Sequence, residues 1–119
     1  MINRVKKHTI SFKNAFAGIC WAFRTQPNFI VHFTATATVL ILAAILGLSA
    51  LEITVLVVAI VLVMVAEMIN TAIEATTDLL SPKFSQAAKI AKDVSAGMVL
   101  MASIGAVILG ILIFVPYFF

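Results

Sequence analysis

Three segments of the chain, residues 29–48, 51–73 and 94–115, consist predominantly of Ala, Val, Leu, Ile, Met and Phe. Each is close to the ~20 residues a helix needs to cross ~30 Å of hydrocarbon. Of the 119 residues, 63% are hydrophobic and only 11% are charged, and the mean hydropathy is +1.18. A water-soluble domain of this length could not cover so much apolar surface, so lipid is the expected solvent for most of it. The predicted architecture is an all-α integral membrane domain, a single one over 1–119, with three transmembrane helices.

The segment before the first span has a different character. Phe12, Phe16, Ile19 and Phe23 recur at i, i+4, i+7 and i+11, with Lys13, Asn14 and Arg24 elsewhere on the helical wheel. This pattern predicts an amphipathic helix over about 9–26, lying on the membrane surface rather than crossing it. Pro27 predicts a break before the first span. Only "GLSAL" separates the first two spans, which makes them a tight antiparallel hairpin. The second linker, "LLSPKFS", leads into a helix that either Ser81–Pro82 or Ser85 is suited to cap. In the third span Ala102, Ala106 and Gly110 form a small-residue face that predicts close helix approach.

All eight Lys and Arg fall in two regions: Arg4, Lys6, Lys7, Lys13 and Arg24, then Lys83, Lys89 and Lys92. The positive-inside rule therefore puts the N-terminus and the second linker in the cytoplasm, and the hairpin turn and C-terminal "VPYFF" outside. No basic surface interleaved with aromatics occurs, so nucleic acid is not an expected partner. The N-terminal segment lacks an apolar core with a cleavage pattern and does not read as a leader. A lone cysteine, Cys20, excludes an internal disulfide and reads as a small apolar side chain.

Against this background the stretch "AEMINTAIEATTD" stands out, because it carries Glu67, Glu74 and Asp78, three of the five acidic residues. At about 100° per residue they project within roughly 40° of one another, with Asn70 about 60° to one side. Counted from Leu51, Glu67 falls near the cytoplasmic boundary and Glu74 and Asp78 beyond it. Across the linker, "AKIAKD" offers Lys89, Lys92 and Asp93 at the same level. One reading is an interhelical salt-bridge cluster. The sharper one is a site for a phosphate-bearing ligand, with carboxylates for Mg²⁺, lysines for phosphate and one carboxylate as base. There is no P-loop and no glycine-rich phosphate turn, so such a site owes nothing to soluble nucleotide-binding folds.

"AEMINTAIEATTDL" followed by "AKIAKDVSAGMVLMASIGAVILGILIF" closely resembles the prokaryotic diacylglycerol kinase family, and "SFKNAFAGICWAF" and "NFIVH" are similar to its undecaprenol kinase branch. The resemblance implies a homotrimeric lipid kinase that moves the γ-phosphate of MgATP to a membrane alcohol, undecaprenol or diacylglycerol, at sites between subunits. It implies Glu67 as general base with Asn70 beside it, and Glu74 as metal ligand. It further implies nucleotide contacts at Lys7, Asn14, Lys83, Phe84, Ser85, Lys92 and Asp93, and lipid contacts at Glu67, Asn28, Phe29 and His32. At the position where the family usually carries a second metal-binding glutamate, this chain has Gln26, whose amide oxygen ligates Mg²⁺ without bringing charge. Where relatives often read E-Y-H, this chain has Lys83, Phe84 and Ser85.

An alternative is a small ion- or proton-coupled transport subunit using Glu67 and Glu74, although transport sites usually lie at the midplane. Glu52 reads as a solvated acid at a helix start. His8 reads as solvated, and His32, taken from the residues alone, as a hydrogen-bonded packing residue.

Overall fold

Four long helices follow from the punctuation of the sequence: α1 (Ile2–Thr25), α2 (Pro27–Leu46), α3 (Ala50–Leu80) and α4 (Gln86–Phe114), ending in a 3₁₀ turn at Val115–Tyr117. The structure is a computed structural model that describes the backbone of residues 2–119 and the side chains of residues 11–119. The nucleotide contact expected at Lys7 lies outside the described side chains. No strand occurs among the described residues.

Each break has a local cause. Gln26 is extended, at φ −105° and ψ 111°, and Pro27 takes the first position of α2, where its missing N–H is not needed. Gly47 stops α2 in the left-handed conformation at φ 68°, and the Leu48 N–H reaches back to the Ala43 carbonyl at 3.1 Å. A side chain at that φ would be strained, and the hairpin needs the reversal. Ser49 then opens α3 with a capping box: its N–H donates to Glu52 Oε2 at 2.8 Å, and the Glu52 N–H donates to Ser49 Oγ at 3.4 Å. Of the two caps possible for α4, Ser85 is the one used, accepting from the Ala88 N–H at 3.3 Å.

The helices differ in extent from the hydrophobic segments. α1 starts at Ile2 rather than near 9, and α2 covers 27–46 rather than 29–48. α3 continues to Leu80, past the apolar run that ends near 73, and α4 starts at 86, at the Ser85 cap and ahead of the apolar run that begins near 94. Hydropathy marks the length that faces lipid, whereas the backbone ladder runs on through polar residues until glycine, proline or a cap stops it. At ~1.5 Å per residue the 31 residues of α3 form a rod of about 46 Å, well beyond the ~30 Å of hydrocarbon.

α3 and α4 run antiparallel and touch along their lengths, with α2 against one side of the pair. At the hairpin end, Ala43, Leu48 and Leu56 form a buried cluster, joined by Val39, Leu46, Ile113 and Phe114. Tyr117 Oη donates to Glu52 Oε2 at 2.7 Å there, tying the C-terminal turn to the capping box. At the other end, Phe29 is buried against Phe23, with ring centroids 5.0 Å apart, and Phe23 meets Phe33 edge-on at 5.9 Å. These rings fasten α1 to α2.

Burial is inverted relative to a soluble protein. Leu, Ile and Val side chains of α2, α3 and α4 point outward in large numbers, including Ile45, Leu62, Leu100 and Leu112. Three helices are long and apolar enough to cross a membrane. The chain forms a slab 52 × 47 × 21 Å. At the Gly110 end of the small-residue stripe of α4 no side chain packs close. A Cβ built at Gly110 meets nothing within 4 Å, and Ala106 and Gly110 line an open groove instead.

Candidate active site

The polar stripe of α3 is shared out between two neighbours. Glu67 is only 2% exposed and is held by His32 of α2, with Nε2 and Oε1 3.0 Å apart. An ionised carboxylate only accepts, so in that state the imidazole Nε2–H is the donor. One turn on, the buried Asn70 turns to α4, where Ser95 Oγ donates to its Oδ1 at 2.7 Å. Its Nδ2 donates toward Glu74 Oε1 at 3.5 Å, the limit of a hydrogen bond. Two turns further, Asp78 pairs with Lys92 of α4, and Lys89 pairs with Asp93 along α4 itself. These two ion pairs are largely exposed and contribute little stability.

Three hollows lie along this line. An apolar groove of about 320 Å³ runs from His32 past Val39, Leu56 and Val63 to Phe114. Val39, Leu56 and Phe114 of the hairpin-end cluster line its far end. A polar hollow of about 350 Å³ holds Asn28, His32, Glu67, Asn70 and Glu74. His32 and Ser103 line both, so the groove adjoins the hollow that holds Glu67. A third hollow, of about 400 Å³, lies at the α3–α4 linker between Asp78, Lys83, Phe84, Ser85, Lys92 and Asp93. All three volumes are of the size that small ligands occupy.

The expected site residues are thus largely gathered at one end of the bundle. Glu67, Asn70, Glu74, Asn28 and His32 share the polar hollow, and Lys83, Phe84, Ser85, Lys92 and Asp93 share the linker hollow. Others stand apart. Asn14 is exposed on α1, Phe29 is buried in the α1–α2 contact, and Gln26 lies at the α2 start without lining the hollow that holds Glu74. Among the described residues no three His, Cys, Asp or Glu side chains converge on one point as metal ligands would. Glu74 nevertheless suits a hard cation that keeps several waters, because it is half-buried and engaged by a single weak donor. Gln26 makes no side-chain capping bond, so its amide oxygen is also available.

Two participants were invisible in the helical wheel. The His32–Glu67 bond joins residues 35 apart, and Ser95 carries no local signal. The first needed the hairpin register; the second needed the facing of α3 on α4.

Fold and site together define a small multi-span membrane protein with a buried carboxylate where an apolar groove meets a polar end. Residues 13–114 match the family model described as prokaryotic diacylglycerol kinase. A diacylglycerol kinase of Synechocystis sp. is 43% identical over 108 residues, which are 90% of this chain and 62% of that protein. An undecaprenol kinase of Bacillus subtilis is 38% identical over 114 residues, 96% of this chain and 93% of that protein. The chain therefore belongs to the prokaryotic diacylglycerol kinase family, a family of lipid kinases. It spans less than two thirds of the Synechocystis relative's length and nearly all of the Bacillus relative's.

Proposed function

We propose that the protein phosphorylates the hydroxyl of a membrane lipid alcohol, undecaprenol or diacylglycerol, using ATP. The observation that carries this reading is that the apolar groove and the polar hollow share His32 and Ser103, with His32 bonded to Glu67. A lipid tail occupies the groove and brings its hydroxyl to Glu67. The hydroxyl oxygen bonds to the γ-phosphorus, the bond from that phosphorus to the β–γ bridging oxygen breaks, ADP leaves, and Glu67 takes the hydroxyl proton. His32 holds the carboxylate in position. ATP takes the linker hollow, where Lys83 and Lys92 oppose phosphate charge and Asp93, Phe84 and Ser85 line the wall. When bound, Mg²⁺ neutralises charge on the phosphate oxygens, and Glu74 with Gln26 would hold it.

Depth supports the arrangement. Glu67 lies about 26 Å along α3 from Ala50, at ~1.5 Å per residue, and Glu74 about 36 Å, so the carboxylates bracket one membrane face. All the described Lys and Arg side chains belong to the segments at that end, which supports a cytoplasmic assignment for it and an outside C-terminus. The exposed Phe12, Phe16, Ile19 and Trp21 of α1 suit a helix lying in the interface. A slab 21 Å thick does not enclose two substrates, and Gln26 and Glu74 do not meet within one chain. Both points favour a homo-oligomer, a trimer by family resemblance, with sites between copies.

The test is transfer of label from γ-radiolabelled ATP to undecaprenol or diacylglycerol in vesicles. Wild-type protein labels a lipid alcohol, and Glu67→Gln does not while keeping the wild-type oligomer. An active Glu67→Gln variant would remove the base assignment, and wild-type protein that labels no lipid alcohol would overturn the kinase reading.

A further inference from the structure

Ser95 has no part in the reading above, yet it is one of the four polar or charged residues buried among the described side chains, at 2% exposure. Its hydroxyl has one proton and two acceptors within reach, Asn70 Oδ1 at 2.7 Å and the Lys92 carbonyl at 2.9 Å. Lys92 lies inside α4, where the helical ladder already engages its carbonyl. Asn70 Oδ1 has no other hydrogen bond among the described residues, so it is the acceptor in need of the proton.

A hydroxyl can also accept, so it is this bond together with the acceptor-only Glu74 carboxylate that fixes which way the Asn70 amide faces. A carboxamide has two orientations half a turn apart, with oxygen and nitrogen exchanged, and its hydrogen-bond partners select between them. With Oδ1 capped by Ser95, Nδ2 points toward Glu74 and the polar hollow. The reverse orientation would set Oδ1 against the Glu74 carboxylate, acceptor against acceptor, at about the same separation.

We infer that Ser95 is a positioning residue that locks Asn70 as a hydrogen-bond donor to the hollow, so that Asn70 serves a negatively charged oxygen there and not a cation. This rests on the kinase reading for the identity of that oxygen, which belongs to the phosphoryl group in transfer. A fixed N–H aimed at charge that develops during transfer accelerates the step without tightening ground-state binding. Metal coordination then falls to Glu74 and not to its neighbour one turn back.

The experiment has two arms on the full chain in lipid vesicles. In the kinetic arm, Ser95→Ala lowers kcat roughly tenfold while KM for ATP and for the lipid alcohol stays within about twofold. Ser95→Thr, which keeps the hydroxyl, recovers most of the rate. In the spectroscopic arm, the side-chain amide resonances of Asn70, assigned by their loss in Asn70→Ala, shift in Ser95→Ala and lose the spread of a fixed pair. Wild-type kcat in Ser95→Ala overturns the inference, as do unmoved Asn70 resonances. If wild-type protein labels no lipid alcohol, the kinase reading fails by itself, and the resonances still decide whether Ser95 orients Asn70.

Discussion

Replacing His32 with alanine removes the one side-chain hydrogen bond made to Glu67 among the described residues, and leaves a carboxylate that is 2% exposed without its partner. A hydrogen bond to a charged group contributes about 1.5–3 kcal/mol, which corresponds to roughly ten- to 150-fold in a rate if it holds the base in its reactive position. The lower part of that range applies, because the His32 side chain is 21% exposed and water can partly replace it. His32→Ala is therefore expected to lower kcat roughly ten- to thirtyfold. His32→Gln can present an amide N–H at the place of Nε2 and should recover to within about threefold of wild type. Initial rates of label transfer, taken across acceptor concentrations alongside thermal unfolding in the same vesicles, separate a misplaced base from a loosened bundle. Wild-type turnover in His32→Ala would refute the reasoning, as would a His32→Gln variant no faster than the alanine variant.

Gln26→Glu adds a charge beside the proposed cation and should lower the Mg²⁺ concentration for half-maximal rate severalfold; an unchanged Mg²⁺ dependence excludes that position from coordination. Lys92→Ala breaks an exposed ion pair, so it should shift stability by no more than about 1 kcal/mol while raising KM for ATP at least tenfold. An equal fall in unfolding temperature and activity would make Lys92 structural. A cysteine placed after Phe119, in a Cys20→Ala background, should react with an impermeant maleimide added to intact cells. Labelling only after lysis would invert the topology.

Much of this could be read from the residues, but only where the determinant was local. Apolar length announced three spans, Pro27 announced the break, and the short "GLSAL" announced the hairpin. The polar run from Asn70 to Asp78 ends the hydropathy signal without interrupting the backbone ladder, and the shared stripe of Glu67, Glu74 and Asp78 already implied a helix running on to Asp78. The acid stripe was legible as a stripe, yet its division between His32, Ser95 and Lys92 depends on how three helices turn toward one another. Glu52 makes the same point at the opposite end. A helix-start acid is visible in sequence, whereas its bond to Tyr117, 65 residues away, is not. The small-residue stripe of α4 is visible in sequence, whereas the open groove beside Ala106 and Gly110 is not.

The unbroken α3 rod has one last implication. Its lipid-facing part and its acid-bearing part share a single rigid shaft, so neither can change height without the other. Embedding such a shaft in a thicker or thinner bilayer forces it to tilt or the lipid to adjust. The shaft then acts as a ruler, and the distance between headgroup plane and Glu67 becomes a property of acyl-chain length as much as of the protein.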